Sequence, residues 1–311
     1  MGKSRQLLKS IDARPDESIQ SIAMRLAPLA LVSPNQLLRY GLDHAAGLAS
    51  LPTDANAIHR LGELGGFAPA EMISRRILRG NLGFIIYKRE VPLDWVGFAV
   101  RRLAPGVLKD DGDTPFLRLG WQLNALDCDV GTGEALVERC PQCAAFLRWA
   151  KIESVVSCGD CQFDIRHAHS KYVPADHLSL ARKLYAFMLR SGPPLPEPFD
   201  RLDDVTACHA MEWIAYFANS AAFGKALRPS CQNAIAGLED LYSWPDSFDR
   251  ILLELDQFRK SGYGYTKECA CLVDQIDRAG NAALRDILLA RAAKVLKAPA
   301  LFQEAAGWPF H

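Results

Sequence analysis

The sequence has no excess of charge of either sign, because 36 lysines and arginines are balanced by 36 aspartates and glutamates. Nucleic-acid binders of the histone type draw their affinity from a large basic excess. The balance therefore excludes that class, and any nucleic-acid contact has to come from a local surface.

Long apolar stretches are missing as well. No segment approaches the roughly 18 uninterrupted apolar residues of a membrane span, so no membrane contact is expected. The first ten residues are basic but contain no long apolar region, which argues against a secretory signal. We expect a cytoplasmic protein whose cysteines stay reduced or bind metal.

Familiar catalytic motifs are not found either. His59 is followed by Arg-Leu-Gly-Glu63 without the second histidine of an HExxH motif, and Gly131-Thr-Gly133 has no GK[ST]. There is no GxSxG motif. An enzyme is therefore not expected.

What is present indicates a mainly α protein with a small β-rich zinc ribbon. Apolar residues at helical spacing begin at Ile19, and caps and prolines predict further helices from Ser33, over Asp54–Leu64 and over Pro69–Leu78. The last two resemble a helix-turn-helix. Aromatic and β-branched runs predict strands at Phe84–Tyr87 and Trp95–Val100, around a turn at Val91-Pro92, and shorter segments from Phe116 to Leu126. The expected domains are a helical N-terminal unit (1–82), a β-rich zinc-ribbon region (83–172) and a C-terminal helical domain (173–311).

Two cysteine pairs carry the strongest signal. Cys140-Pro-Gln-Cys143 and Cys158-Gly-Asp-Cys161 are CxxC pairs separated by 14 residues. Two CxxC turns at the ends of a hairpin complete a tetrahedron around Zn²⁺ with Zn–S distances of about 2.3 Å, and four thiolates leave no open coordination position. We predict one structural Zn²⁺ held by these four cysteines. The alternative is a pair of redox-active CxxC motifs.

Other histidines and cysteines have weaker interpretations. His167 and His169 are either further ligands, phosphate contacts or exposed residues at a strand end. Cys208 and His209 could form a second site with Cys269 and Cys271, but all lie in helical stretches where cysteine commonly serves as a small apolar residue.

Several short motifs follow one another in the order of a known family. They are Asp16-Glu-Ser18 with Arg25-Leu-Ala27, Leu117-Arg-Leu-Gly-Trp121, Cys128, the two CxxC pairs, and Trp244-Pro245 with Phe248 and Leu252-Leu253. This order resembles the TniQ family, target-selection proteins of cut-and-paste DNA transposons. The resemblance covers residues 15 to about 260.

The chain departs from the family pattern at another metal site. Where the family has CPxCL, this sequence has Ala104-Pro-Gly-Val107-Leu108, and Cys128 continues Asp129-Val130-Gly131 without the family's histidine. A tetrahedral site needs three or four protein donors, and this comparison leaves one. We therefore expect that the site is lost and that Ala104 and Val107 pack in its place.

A local basic block stands out against the zero net charge. Residues 71–110 contain eight basic and four acidic residues, whereas 111–139 contain two basic and six acidic ones. The functional interpretation is a contact face for DNA, RNA or a partner, and the alternative is a solvated face paired with the acidic stretch. The candidate contact residues are Arg75, Arg76, Arg79, Lys88, Arg89, Arg101 and Arg102.

The resemblance implies a non-catalytic adaptor in DNA transposition. It would link a target-recognition element, either DNA itself or an RNA-guided CRISPR surveillance complex, to the transposition machinery. It further implies contact with the transposon's AAA+ ATPase, self-association as a homodimer, and a bacterial cytoplasm with nucleoid association at the target. The alternative hypothesis is a zinc-ribbon and helix-turn-helix transcription regulator with a specific DNA operator.

Overall fold

The computed structural model describes residues 11–219, 229–260, 276 and 281–296. Within them the protein is mainly helical, with one small antiparallel sheet. The described residues divide into two compact units, one ending at Ser191 and the other beginning at Gly192. The boundary lies at the start of the proline-rich connection 192–198, which contains no helix or strand. The three-part division into 1–82, 83–172 and 173–311 stays a prediction.

The first unit begins with short helices, and the predicted cap at Ser33 is confirmed. The side chains of Ser18, Ser33 and Asp54 each accept a backbone N–H bond at a helix start, and Ser33 forms a capping box with Gln36. The helices in this segment are α1 (Ile19–Leu26), α2 (Pro34–Gln36), which continues as a π-helical turn over Leu37–Gly41, α3 (Ala55–Gly65) and α4 (Pro69–Ser74).

The expected helix over Pro69–Leu78 is too long. Helix α4 ends at Ser74, and the chain then pairs as a strand over Leu78–Arg79. Pairing with a neighbouring strand satisfies the backbone groups of this strand, and it overrides the local helical pattern. Gly66, with a φ of 72°, closes α3 in the left-handed region and leads into α4. The helix-turn-helix interpretation of this pair stays a prediction.

Three short strands form the sheet. Strand β1 (Leu78–Arg79) pairs with β2 (Phe84–Ile86), and β2 pairs with β3 (Arg89–Val91), all antiparallel. The turn between β2 and β3 is formed by Tyr87 and Lys88, which have φ values of 53° and 68°. The sequence did not predict this turn, which lies four residues before the one expected at Val91-Pro92. At Pro92 the chain enters a 3-10 turn over Leu93–Trp95.

Between residues 92 and 172 the chain is less regular than the expected β-rich ribbon. Trp95–Val100 and Phe116–Leu126 form no strands; the backbone makes isolated antiparallel bridges such as Val96↔Leu123 and Val100↔Arg148, with 3-10 turns between them. Helix α5 (Pro105–Asp110) lies in this region. The expected strands there are replaced by single bridges, since the aromatic and branched residues pack in a core rather than along a ladder.

Helix α6 (Ala175–Met188) closes the first unit against both the sheet and the central region. Arg89 Nε donates to the carbonyl of Phe187 at 2.9 Å, and the hydroxyl of Tyr185 donates to that of Tyr87 at 3.2 Å. Arg182 Nε donates to the carbonyl of Val130 at 2.8 Å. These bonds fix the middle and the last turn of α6 against the rest of the first unit.

The second unit is mainly helical in its described part. Its helices are α7 (Asp204–Asn219), α8 (Ala234–Tyr242), α9 (Asp246–Lys260) and α10 (Ala282–Leu296). Trp213, Phe217 and Phe248 are buried between them, as expected for core aromatics. Across the described ranges of both units, no helix has the length and the hydropathy needed to cross a bilayer.

Candidate metal centre

The two CxxC turns have the same local structure. In the first, the N–H of Cys140 donates to the carbonyl of Ala145 at 2.8 Å, and the N–H of Ala144 donates back to the carbonyl of Cys140 at 2.8 Å. In the second, the corresponding bonds join Cys158 to Phe163 at 2.9 Å and Gln162 to Cys158 at 3.0 Å. The offsets along the chain are identical, so the two turns form matching halves of one site.

Each turn is closed by a residue in the left-handed region. Ala144 has a φ of 60° and Gln162 a φ of 59°. A side chain in this region costs roughly 1–2 kcal/mol. Both residues follow the second cysteine of their pair directly, where this conformation turns the chain back so that both thiols of the pair face one side.

The four thiols come together at the spacing of a zinc tetrahedron. Cys140 Sγ lies 3.6 Å from Cys161 Sγ, and Cys143 Sγ lies 3.8 Å from Cys158 Sγ. All four sulfurs lie within 4.8 Å of one another. Sulfurs bonded at about 2.3 Å to one tetrahedral ion are about 3.8 Å apart. The cluster could therefore hold a metal ion such as zinc.

The redox interpretation fits this geometry less well. The two shortest sulfur distances join cysteines of different pairs. All four cysteines are free thiols, and both pairs lie in turns rather than at the start of a helix. Redox CxxC pairs depend on a helix N-terminus to stabilise one thiolate of the pair.

The site is half embedded in the core of the first unit. Cys140 and Cys158 are buried in the same apolar cluster as Leu147 and Val156, whereas Cys143 and Cys161 are exposed. The first cysteine of each pair thus anchors the turn, and the second closes the site from the solvent side.

The thiols differ strongly in acidity. Burial raises the pKa of Cys158, but backbone N–H groups of Cys161 and Asp160, together with the neighbouring thiols, lower it to about 7. The N–H of Phe163 lowers the pKa of Cys161, yet burial and the three other thiols raise it to about 12. Because metal binding needs deprotonated thiols, a cation bound here would displace their protons.

Arg101 supports the second turn from inside the core. Its side chain is only 1% exposed, and its guanidinium donates to the carbonyls of Val155 at 3.1 Å and Ser157 at 2.7 Å, just before Cys158. Burial lowers the pKa of Arg101 to about 10, while the Cys158 thiolate acts in the opposite direction. A buried cation at this place offsets the negative charge that four thiolates bring to a divalent ion.

The structure does not unite the seven basic candidates on one exposed face. Arg89, Arg101 and Arg102 are buried. Arg102 donates to the carbonyls of Leu123 and Leu126 and pairs with Glu138 at 3.0 Å. These three arginines bind backbone carbonyls inside the first unit, so the expectation that they face a nucleic acid or partner is corrected. Sequence reasoning counted their charge and missed their burial.

The other four candidates are closer to the surface. Arg79 and Lys88 are exposed, and Arg75 and Arg76 are half-buried. Arg75 donates to the carbonyls of Glu71 at 2.8 Å and Arg14 at 3.0 Å, so much of its donor capacity is used within the first unit. A contact role for these four residues stays a prediction.

The weaker metal candidates do not gather into a site in the described part of the chain. His167 and His169 are exposed. Cys208 is buried in α7, and His209 lies 3.1 Å from Glu212 in the same helix. Cys269 and Cys271 lie outside the described residues.

The structure also brings together a second group of possible metal ligands that the sequence did not predict. Cys128 is buried, and Asp127 and His177 lie beside it. Burial, together with the charges of Asp127 and Asp129, raises the pKa of Cys128 to about 12. No local signal marks His177, because it is 49 residues further along the chain.

The chain matches no protein-family model and no curated protein sequence. The resemblance to the TniQ family therefore rests on the short motifs themselves.

Proposed function

We propose that Cys140, Cys143, Cys158 and Cys161 hold one Zn²⁺ ion whose role is structural. The observation that carries this is the sulfur spacing, which matches a closed tetrahedron of thiolates. A closed site has no position for a substrate or an activated water. The ion would join the two turns to each other at the edge of the apolar core that contains Cys140 and Cys158.

The zinc assignment is tested through the exposed ligands. Cys143→Ser removes one thiolate without opening the apolar core, unlike Cys140→Ser. We expect purified protein to contain one tightly held zinc at these cysteines, and Cys143→Ser to lose it and to unfold at lower temperature. Cys231→Ser, a buried thiol of the second unit, is the control. Full thermal stability of Cys143→Ser without metal would refute the assignment.

We further propose that the protein is a non-catalytic adaptor in DNA transposition, similar to the TniQ family. Support comes from the way the motifs contact one another. The N–H of Ser18 donates to the carbonyl of Leu117 at 2.8 Å, and the N–H of Leu119 donates to the carbonyl of Asp16 at 2.6 Å. Two motifs about 100 residues apart in the sequence thus pair as neighbouring segments, which is what a shared fold would require.

The last motif also has a defined packing role, within the second unit. Trp244 stacks on Phe248 with ring centroids 5.2 Å apart, and Phe248 and Leu252 are fully buried. Core residues of this kind support a fold that members of a family share, rather than direct contact with a ligand.

The alternative, a sequence-specific transcription regulator, is supported by the pairing of α3 and α4 through Gly66. Helix α4 has only six residues, which is short for a helix that has to read several bases in a major groove. The adaptor is therefore the preferred proposal.

A pull-down from the native cell distinguishes the two functions. We expect the tagged protein to recover the transposon's AAA+ ATPase, together with a guide-RNA complex or the target DNA, and expect its gene to lie beside transposase and ATPase genes. Recovery of one operator DNA, with no transposition protein, would favour the regulator instead.

The exposed basic residues are tested in the same assay. If Arg79 and Lys88 contact phosphates, the double change to Glu should weaken nucleic-acid binding and reduce its salt dependence. Lys183→Glu, an exposed lysine on α6, is the matched control. Unchanged binding and targeting would show that these residues form only a solvated face.

A further inference from the structure

A second group of metal-binding atoms lies in the first unit, formed by residues other than the four clustered cysteines. Cys128 Sγ, a carboxylate oxygen of Asp127 and an imidazole nitrogen of His177 all lie within 4.8 Å of one another. His177 Nε2 is 2.8 Å from Asp127 Oδ1. The three atoms are a sulfur, an oxygen and a nitrogen, so the group is neither a lone thiol nor a cluster of carboxylates.

The fold holds these residues in place from both sides. Cys128 forms an antiparallel bridge with Ala135. His177 lies in the first turn of α6, and Arg182, one turn and a half further on, donates to the carbonyls of Val130 at 2.8 Å and Gly131 at 2.7 Å. The helix and the loop after Cys128 are therefore tied together independently of the histidine.

The three side chains differ in their exposure to solvent. Cys128 is 1% exposed, whereas the side chains of His177 and Asp127 are 34% and 59% exposed. The thiol forms the floor of the group, and the imidazole and the carboxylate face the solvent.

We propose that Asp127, Cys128 and His177 form a second site for a divalent cation of the zinc class. A thiolate and an imidazole select zinc-like ions over Mg²⁺ and Ca²⁺, which prefer oxygen ligands alone. Three protein ligands and one water give the tetrahedral coordination of an open zinc site. On binding, the thiol of Cys128 releases its proton to solvent, so the protein loses one proton for the cation it gains.

The distance between the imidazole and the carboxylate has to change slightly for both to bind one ion. Nitrogen and oxygen ligands at about 2.0–2.1 Å from one tetrahedral ion are about 3.3 Å apart. The 2.8 Å between His177 and Asp127 therefore has to widen by about half an ångström. The exposed carboxylate can move by that amount, and without a cation the imidazole and the carboxylate are within hydrogen-bonding distance of each other.

The site changes the interpretation of Cys128. The motif comparison left Cys128 as a single donor, which cannot hold a tetrahedral ion. The fold supplies two donors that the family pattern does not contain. The proposal depends neither on the adaptor function nor on the four-thiol site.

The test is metal stoichiometry in the full-length protein with the four-thiol site intact. Protein is incubated with Zn²⁺, freed of excess metal and analysed for bound zinc. We expect two equivalents in the unchanged protein and one in His177→Gln and in Asp127→Asn, and neither change opens the apolar core because neither side chain is buried. His169→Gln, an exposed histidine outside both groups, should keep two.

Co²⁺ as a spectroscopic probe identifies the ligands. Co²⁺ in the four-thiol site gives strong charge-transfer bands from four thiolates. Co²⁺ in the second site gives a weaker band from one thiolate. His177→Gln should remove only the weaker band and lower the metal affinity of the second site by more than about tenfold. Even residues that only hydrogen-bond to a metal ligand change the metal affinity by about 10–100-fold when they are mutated. Cys143→Ser should remove only the stronger one, so failure of one site is distinguishable from failure of the other. Equal zinc content and equal spectra for the unchanged protein, His177→Gln and Asp127→Asn would overturn the proposal.

Discussion

At the scale of single residues, the buried arginines are the most informative feature of the first unit. A guanidinium in a core has lost its water and has to be satisfied by carbonyls or carboxylates. Arg101 and Arg102 each bind two backbone carbonyls. They join segments of the irregular region 92–172 that no regular sheet connects, so they take the structural role that a ladder of hydrogen bonds has elsewhere.

Arg101→Met should destabilise the protein and weaken the hold on the metal. The change keeps the apolar stem but leaves the carbonyls of Val155 and Ser157 without their donor, at a cost of about 1–3 kcal/mol. Thermal unfolding and the rate of zinc transfer to a chelator measure the two effects. Arg148→Met, an exposed neighbour, should shift stability by less than about 0.5 kcal/mol. Equal behaviour of the two variants would contradict the supporting role of Arg101.

At the scale of elements, local capping explains why the short helices form where they do. Asp54 Oδ1 accepts from the N–H groups of Asn56 and Ala57, both at 3.0 Å, and Oδ2 lies 2.8 Å from His44 Nδ1. The N–H of Ala57, followed by the His44 contact, holds the pKa of Asp54 below its usual value even though burial raises it. The charged cap is therefore favoured in the folded state.

Asp54→Ala should cost about 1 kcal/mol at neutral pH. The ionised carboxylate stabilises the fold above its unfolded pKa, about 3.9, and this contribution is lost as the pH falls through the lower folded pKa. Urea unfolding at several pH values should show the difference between the two proteins shrinking in the acid range. Asp54→Asn keeps the cap without the charge and should lose much less stability at neutral pH. A pH-independent cost of Asp54→Ala would contradict the linkage.

The β2–β3 turn shows the limit of element prediction. Its two residues, Tyr87 and Lys88, both have a positive φ, which normally selects Asn-Gly or a similar pair. Neither residue type signals such a turn, and the proline at position 92 is the more conspicuous local signal. The strands at Phe84 and Arg89 hold the turn in place through their pairing.

At the scale of the whole molecule, the two units have different kinds of core. The first relies on short elements, buried arginines and a thiol cluster, whereas the second relies on close helix packing. A methyl group on Gly237 of α8 would lie 1.7 Å from the carbonyl oxygen of Met211 on α7. Only glycine permits this approach of two helix backbones.

Gly237→Ala should therefore force α7 and α8 apart and lower the free energy of unfolding of the second unit by about 1–3 kcal/mol. Because the thiol cluster lies in the first unit, its zinc content should not change. Unfolding curves and metal analysis of the same preparation test both statements. Glu239→Ala, an exposed change on the same helix, should be close to neutral. Loss of zinc in Gly237→Ala would show that the units do not fold independently.

The sequence by itself determined the features that depend on neighbouring residues. These are the helix cap at Ser33, the helix start at Asp54, the proline-rich connection at 192–198 and the two CxxC turns. Each is decided by backbone preferences and hydrogen bonds within about five residues, so a local pattern is sufficient to predict it.

Only the tertiary structure decided the features that depend on distant segments. Arg101 meets Val155 across 54 residues, and His177 meets Asp127 across 50. Whether a basic residue faces solvent or a core carbonyl, and which histidine lies beside Cys128, depend on how those segments pack. An exposed and a buried arginine have the same charge and residue type in the sequence, and so do a histidine beside Cys128 and one far from it. Such residues differ in their desolvation and in the partners that surround them, and these two properties depend on how the chain packs.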